Sequence, residues 1–179
     1  MSDFSARSAS SAMRGFTLIE LMITILVAAV LLGVALPEFR TTINNNRVAN
    51  KSNDLVNAFN IARAEALSRG NPVSVCAANA LGTGCSNSTA WNGGWIVFTD
   101  TGVAGTVDGA DVVLRTWPAL DAADLLVAPV AFVSFTAQGV TTAAAAQTFS
   151  LTPHVCVGKQ VRSIDLNPGG RVSLRRSMC

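Results

Sequence analysis

A run of 21 mostly apolar residues near the N-terminus, residues 16–36, constrains the fold more than any other part of the sequence. It contains a single charged side chain, Glu20. As a helix with a rise of about 1.5 Å per residue, the run covers about 30 Å, which matches the hydrocarbon core of a bilayer. Arg7 and Arg14 precede the run, so the positive-inside rule predicts a cytoplasmic N-terminus and places the rest of the chain on the other side of the membrane.

The residues after the run do not favour its removal as a secretory signal peptide. Such a peptide needs a small-residue cleavage site directly after the apolar segment, and Ala35, Leu36 and Pro37 form a poor one. The break that the sequence favours lies before the run, between Gly15 and Phe16. We therefore expect a short basic leader to be removed and the apolar run to be retained.

An apolar stripe continues beyond the run and predicts one helix of about 50 residues. The stripe consists of Phe39, Ile43, Val48, Leu55, Phe59, Ala62 and Ala66. Pro37 lies inside this pattern, where a kink or local melting is expected. Gly70, Asn71 and Pro72 are typical of the end of a helix.

From residue 72 the apolar period changes to that of β-strands. The predicted strands are residues 73–76, 95–98, 112–115, 125–135, 148–151, 161–166 and 171–174. The sequence Asn167-Pro-Gly-Gly170 predicts a turn that makes the last two strands a hairpin. A long helix followed by hairpins predicts an α+β fold in which an antiparallel sheet packs on the helix.

The composition argues against some classes of function. A net charge of +2 over 179 residues gives no general affinity for nucleic acid. The chain has one histidine and no C-x-x-C spacing, which argues against zinc and redox chemistry. The cysteines favour two disulfides in an oxidising compartment, and four cysteines allow three pairings. They are Cys76, Cys85, Cys156 and Cys179.

The residues around Gly15 resemble a known processing site. The segment Arg14-Gly-Phe-Thr-Leu-Ile-Glu-Leu21 is similar to the cleavage and methylation site of type IV prepilins and type II secretion pseudopilins. The resemblance implies that a prepilin peptidase and methyltransferase cuts after Gly15 and methylates Phe16. It divides the chain into a leader (residues 1–15), a transmembrane and filament-core half of the helix (16–43), an amphipathic half (44–71) and a periplasmic β-rich domain (72–179).

Glu20 is an isolated carboxylate in the apolar run, where a charge is costly without a partner. One interpretation is an interfacial acid that reaches the membrane surface or stays protonated. The resemblance implies instead that Glu20 pairs with the new α-amine of Phe16 in a neighbouring subunit. Such a pair would neutralise both charges and set the axial register between subunits.

Four later stretches resemble one branch of this family, the GspH/FimT/FimU group. They are residues 62–76, 91–100, 135–139 and 170–172. The resemblance implies a structural subunit, a FimU-like minor pilin in the priming and tip complex of a type IV pilus, with other minor and major pilins and inner-membrane lipid as partners. A FimT-like DNA-binding pilin and a GspH-type pseudopilin of a type II secretion system are the alternatives.

Sequence separation favours one of the three cysteine pairings. Cys76 and Cys85 bracket a short Gly-containing loop, so we expect them to pair and Cys156 to pair with Cys179. The second disulfide would hold the C-terminal strand in place.

No catalytic constellation stands out, so we expect neither enzyme activity nor a cofactor nor a metal site. His154 stands alone beside Pro153, which favours a packed or surface role. Residues 100–124 contain five aspartates: Asp100, Asp108, Asp111, Asp121 and Asp124. Their spacing does not match a calcium loop. A solvated acidic loop is therefore favoured, with calcium binding as the alternative.

Basic side chains gather near the C-terminus: Lys159, Arg162, Arg171, Arg175 and Arg176. In an extended strand Arg171 and Arg175 share one face, while Val172 and Leu174 point to the core. A row of arginines suits phosphate oxygens, so these residues are candidates for DNA contact. FimT-type pilins use arginines in a G-R-x-R motif, but here the second arginine is displaced by two positions. A solvated sheet edge whose charges oppose aggregation is the favoured interpretation.

Overall fold

The structure is a computed structural model that describes residues 15–121, 123–156, 158 and 160–179; the side chains of residues 34–40 are not described. The predicted leader up to Arg14 and the candidate DNA-contact residue Lys159 therefore lie outside the described residues. The chain divides into two compact units, Met1–Arg40 and Thr41–Cys179. The boundary between them falls inside one long helix.

This helix, α1, covers Leu18–Arg69, a length of 52 residues. It is continuous through Pro37, without the local melting that was an alternative there. Gly70 follows with φ +67°, a left-handed conformation that glycine adopts at helix ends without strain. The predicted length of the helix and its end at Gly70 are confirmed.

Within the second unit, one stripe of α1 is buried. Its members recur every three or four residues: Val48, Ser52, Leu55, Phe59, Ala62 and Ala66. The polar member, Ser52, is satisfied because its hydroxyl donates a hydrogen bond to Ala49 O at 2.8 Å. Ile43, which belonged to the predicted stripe, is exposed. The side chain of Phe39 lies outside the described set.

Eight strands follow the helix in the described part of the chain. They are β1 Val73–Ala77, β2 Trp95–Thr99, β3 Val113–Trp117, β4 Leu125–Val127, β5 Phe132–Phe135, β6 Gln147–Thr152, β7 Val161–Leu166 and β8 Val172–Ser177. They form two four-stranded sheets, in the orders β3-β2-β1-β5 and β4-β6-β7-β8. All six strand pairs are antiparallel.

The prediction of one strand over residues 125–135 is wrong, because the chain crosses from one sheet to the other within this segment. Residues 125–127 pair with β6 in the second sheet, and residues 132–135 pair with β1 in the first. Pro129 lies at the crossing, and proline has no N–H to donate to a ladder. Ala128 N bonds outside both sheets, to Thr89 O at 2.9 Å.

The hairpin predicted for the last two strands is confirmed. β7 pairs with β8 over six residue pairs. The turn between them is closed by Gly170 N, which donates to Asn167 O at 2.9 Å. β8 continues to Ser177, three residues beyond the predicted end, and forms one edge of its sheet.

The main core lies where α1 meets both sheets. Phe59 of the helix contacts Phe149 of β6, with ring centroids 5.0 Å apart, and Trp91 contacts Phe149 at 5.1 Å. Phe135 of β5 lies 6.5 Å from Phe59. These tilted and edge-to-face rings are the geometry that aromatic pairs prefer, so one helical side chain joins the two sheets.

A second, smaller core covers the other face of the first sheet. Cys76, Ile96 and Phe98 are buried there, with Phe132 packed against them. Strands β1 and β2 are therefore buried on both faces, which explains why their sequences are nearly continuous apolar runs. The predicted α+β fold, a long helix with antiparallel sheets and two disulfides, is confirmed.

Candidate functional site

Gly15 and Phe16 lie just before the helix, and Phe16 is exposed. A Cβ added to Gly15 would meet no described atom within 4 Å. The described part of the chain therefore places no atom that would exclude a side chain at this position.

Glu20 lies in the first turn of α1, which Thr17 caps. The Thr17 hydroxyl accepts a hydrogen bond from Glu20 N at 3.2 Å, as an N-cap residue does. A carboxylate in the first turn also interacts favourably with the helix dipole. Glu20 is exposed in the single chain, so its carboxylate is accessible to a second subunit.

The apolar side chains of residues 16–33 are exposed along this part of the chain. Among the described residues, no helix has both the length and the apolar character needed to cross a membrane.

The structure pairs the cysteines as the sequence favoured. Cys76 and Cys85 form one disulfide, with Cα atoms 5.6 Å apart, and it holds the loop after β1 against the smaller core. Cys156 and Cys179 form the other, with Cα atoms 5.7 Å apart. The last residue is thereby fixed beside the loop that precedes β7.

The candidate arginines do not form one row, because the β7–β8 register divides them between two faces. Arg176 lies opposite Arg162, and Leu174 opposite Ile164, whose side chain is in the core. Residues that face each other across an antiparallel pair point to the same side. Arg176 is therefore on the helix-facing side, whereas Arg175 lies opposite Ser163 on the outer side.

Two expectations for the β7–β8 hairpin need correction. Leu174 is on the core-facing side as expected but remains 41% exposed, because β8 is an edge strand. Arg162 is only 3% exposed and bonds through Nη1 to Gln160 O at 3.2 Å. Desolvation, with repulsion from Arg176, lowers the pKa of Arg162. This side chain is not placed to contact DNA.

Arg175 is engaged by Asp165 on the outer face of the second sheet. Its Nε lies 2.6 Å from Asp165 Oδ2, and the Thr148 hydroxyl donates to Asp165 Oδ1 at 2.7 Å. The hydrogen bond from Arg175 lowers the pKa of Asp165, with help from Thr148 and against the effect of burial. The same bond raises the pKa of Arg175. Among the candidates that the structure describes, Arg171 and Arg176 are also exposed.

The expectation of a solvated acidic loop is also wrong in part, because Asp100 and Asp124 are buried. Asp100 is buried beneath the loop, where its Oδ2 accepts hydrogen bonds from the Ser74 hydroxyl and from Gly105 N. Burial raises the pKa of Asp111, but bonds from the Thr101 amide and hydroxyl and from Asp108 N outweigh it and lower the pKa. No cluster of acids, cysteines or histidines able to hold a metal occurs among the described residues.

An ionic contact that the sequence did not predict joins α1 to the loop that precedes β4. Arg47 lies 2.5 Å from Asp121 Oδ2 and 2.9 Å from Asp124 Oδ1. Asp124 is buried and also accepts a hydrogen bond from His154 N at 2.9 Å. His154 is exposed at the surface. The partners of Arg47 lie more than 70 residues away in sequence, so no local pattern could indicate them.

Two glycines from the stretches that carried the GspH/FimT/FimU resemblance meet in space. Gly139 has φ +71° and Gly170 has φ +75°. A Cβ on Gly170 would lie 2.5 Å from Gly139 O, and a Cβ on Gly139 would lie 2.9 Å from the Leu67 side chain. Arg63 of α1 completes the junction by donating to Gly170 O at 3.3 Å. Only glycine fits where helix and both sheets converge.

The structure contains a groove of about 420 Å³ along the open edge of β5. Its lining includes Phe132, Ser134, Thr142 and Gln147. Its described lining residues carry no titratable side chain. Its described lining residues therefore include hydroxyl groups but no acid or base side chain that could activate one of them.

Comparisons with known proteins agree with this architecture. A family profile described as Type II transport protein GspH matches residues 51–170, which is 120 of the 179 residues. The chain belongs to this family. A second profile, described as the prokaryotic N-terminal methylation motif, matches residues 10–36. Together with the fold, these matches make the chain a type IV pilin or pseudopilin of the GspH/FimT/FimU group.

The fold is also similar to solved structures of the type IV minor pilin FimU from Pseudomonas aeruginosa PAO1. One crystal form matches with a TM-score of 0.57 and 20% identity, over 73% of this chain and 89% of that one. Another matches with a TM-score of 0.51 and 20% identity, over 72% and 90%. No curated protein matches the chain. At this identity the similarity establishes the fold.

Membership has consequences that apply to the whole family. Its members are structural subunits, and the methylation motif implies processing by a prepilin peptidase and association with other pilins. It also implies a subunit that is first anchored in a membrane and then incorporated into a filament.

Proposed function

We propose that this GspH-family chain is a FimU-like minor pilin, a non-catalytic subunit of the complex that primes assembly of a type IV pilus and sits at its tip. The observation that carries the proposal is the combination of an N-terminal methylation motif with a GspH-family domain of FimU-like fold. The chain is then the substrate of a peptidase and methyltransferase, and its own role is mechanical.

In this proposal the leader, residues 1–15, is removed and Phe16 becomes the methylated N-terminus. The steric freedom at Gly15 supports this role, since a Cβ there would meet no described atom within 4 Å. Residues 16–36 then anchor the subunit once across the inner membrane, with a periplasmic domain. The exposed Glu20 is available for the α-amine of a neighbouring Phe16.

Replacing Gly15 tests the shared basis of the proposal. In Gly15→Leu, the peptidase should fail, and the precursor should keep its first 15 residues and stay in the inner membrane. Gly33→Ala is a matched control, because a side chain there also meets no described atom within 4 Å. N-terminal sequencing and filament fractionation give the readout. A mature wild-type protein that begins at a residue other than Phe16 would overturn the proposal.

The GspH-type pseudopilin of a type II secretion system is the second candidate, favoured by the description of the matching family. The two candidates predict different neighbours. A FimU-like subunit should crosslink in cells to minor pilins and its loss should reduce piliation, whereas a pseudopilin should crosslink to secretion components and its loss should block protein export.

A DNA-binding role of the FimT kind is the third candidate. It depends on Arg171 and Arg176, which are exposed, and on Arg175, which Asp165 already engages. A gel shift of the detergent-solubilised chain against an Arg171→Ala, Arg176→Ala double variant tests it. We expect the double variant to give the same result as the wild-type chain. A shift that is measurable for the wild-type chain and lost in the double variant would instead favour DNA capture.

A further inference from the structure

One edge of the second sheet is open, whereas the opposite edge of the same sheet is covered. Residues 89–91 lie along β4, where Trp91 N donates to Leu126 O at 2.8 Å and Ala128 N donates to Thr89 O at 2.9 Å. β8 is the last strand in the sheet order, and among the described strands it pairs with β7 alone. An uncovered strand is a template on which another chain can pair. β8 therefore offers a pairing edge six residues long.

The hairpin turn fixes which backbone groups of β8 point away from β7. Asn167 N donates to Arg171 O at 3.0 Å, so the backbone of residue 171 points to β7. In an antiparallel pair this direction alternates along the strand. The N–H and C=O groups of Val172, Leu174 and Arg176 therefore point outward, and none of them bonds to a described group. These groups are the ladder that an added strand would complete.

The side chains beside this edge combine an apolar group with cations. Leu174 is on the core-facing side and is 41% exposed. Arg176 is on the same side and Arg171 on the outer side, and both are exposed. Within the described residues neither arginine forms an ion pair, and the one acid of the hairpin, Asp165, is engaged by Arg175. The edge thus carries positive charge that a partner can complement.

Charge and backbone direction together select the kind of partner. A second copy of the chain would pair β8 with β8 and bring the arginines of both copies together, which like charges oppose. The phosphates of a nucleic acid could accept hydrogen bonds from the arginines and the outward N–H groups, but they offer no donor to the outward C=O groups. An extended acidic peptide supplies the donors, the acceptors and the negative charge.

We propose that the open edge of β8 binds an extended, acidic segment of a partner protein by strand addition. In an antiparallel arrangement, the partner residue opposite Arg176 comes two positions before the one opposite Leu174. The recognised pattern is therefore an acid followed two residues later by an apolar side chain. This edge belongs to the second unit alone, so its role does not rest on the membrane anchor or the leader of the proposed function.

Fluorescence anisotropy of a labelled peptide tests the strand addition. The probe is a seven-residue peptide with capped ends that has glutamate at its third position, valine at its fifth and threonine elsewhere. We expect it to bind the detergent-solubilised full chain with a Kd below about 1 mM. N-methylation of the glutamate and valine amides should abolish binding, because these amides donate to the outward C=O groups. N-methylation of the threonine amide between them is the control, because that amide points away from β8.

Two outcomes of this titration would overturn the proposal. One is that the unmodified peptide does not bind. The other is that the peptide methylated at glutamate and valine binds as well as the unmodified one.

A charge exchange at Arg176 tests the preference for an acid. The wild-type chain should bind the glutamate peptide about five-fold more tightly than a peptide with lysine at the same position, and Arg176→Glu should reverse this preference. Arg115→Glu is the matched control, because Arg115 is exposed on β3, at an edge of the first sheet, and the preference should stay as in wild type. A preference that Arg176→Glu leaves unchanged, or that Arg115→Glu also reverses, would contradict binding at β8.

Leu174→Pro separates strand addition from the other occupants. Among the hydrogen-bonding groups, proline removes an outward N–H there, and an edge strand tolerates this loss. Peptide binding should fall while the fluorescence of the buried Trp91 and Trp95 stays native. A dimer, seen by light scattering, that Leu174→Pro disperses would assign the edge to a second copy. A DNA gel shift lost in Arg176→Glu, in a chain that binds no peptide, would assign the edge to nucleic acid, and either result would overturn the proposal.

Discussion

The two units of the chain treat their apolar residues in opposite ways. In residues 16–33 the apolar side chains are exposed. In residues 41–179 most large apolar side chains are buried in two cores. The second unit buries apolar side chains within its own fold, whereas the described apolar side chains of the first unit are exposed in the single chain. Stability should therefore depend on the second unit, and assembly on the first.

The largest expected effect on this comparison comes from Phe59, the helical side chain that contacts both sheets. Phe59→Ala removes a fully buried ring and should lower the free energy of unfolding of the domain by about 3–5 kcal/mol. Fluorescence of the buried Trp91 and Trp95 during urea unfolding of the detergent-solubilised chain measures it. Processing at Gly15 should continue.

Leu26→Ala is the control for that prediction in the first unit. Leu26 is exposed in the single chain, so its truncation should leave the unfolding of the domain unchanged. A loss of domain stability comparable to that of Phe59→Ala would contradict the division between the two units.

The second disulfide should give the next largest effect. It closes a segment with a sequence separation of 23 residues. Replacing Cys156 and Cys179 by serine should lower the free energy of unfolding by about 2–4 kcal/mol, because the unfolded chain gains conformational freedom. Hydrogen exchange should also rise in β8, whose end the bond fixes. Unchanged exchange there would show that the pairing of β8 with β7 is sufficient to hold this end.

The sequence was sufficient for features that depend on local chemistry. The end of α1 at Gly70 and the turn at residues 167–170 follow from the conformational preferences of glycine, asparagine and proline. The break at Pro129 was visible in the same terms, but the apolar residues on both sides suggested one strand. Leu126 on one side and Val133 on the other are buried in a core that both sheets share, which residue periodicity within one segment does not reveal.

The candidate arginines show why the rest could not be predicted. Alternation along β8 placed Arg171 and Arg175 on one face. It could not show that Asp165 lies where it engages Arg175, or that Arg162 is buried in the neighbouring strand. Both facts depend on the register of β7 against β8, and register is a property of the assembled sheet.

The smallest expected change in stability concerns the ion pair of Asp165 with Arg175, which is lost when Asp165 is protonated at low pH. The folded-state pKa of Asp165 is lowered by Arg175, so its ionised form stabilises the domain above the unfolded pKa of about 3.9 and this contribution is lost as the pH falls through the folded pKa. Asp165→Asn should be slightly less stable than wild type at neutral pH. The difference should vanish in acid, as urea unfolding from about pH 7 to about pH 2 would measure. A difference that is constant across this range would contradict the ion pair.

Glu20→Ala should leave the stability of the domain unchanged and yet reduce incorporation into filaments. The hydrogen bond between Glu20 and Thr17 uses the backbone amide of Glu20, so it survives the substitution. Incorporation should fall because the α-amine of a neighbouring Phe16 would then lie in an apolar environment without a counter-charge. Immunoblotting of sheared filaments against membrane fractions measures it. Glu65→Ala, which breaks only a surface pair with Arg69, is the control. Equal incorporation of both variants would mean that the carboxylate serves only the helix start, and that register between subunits is set by another group.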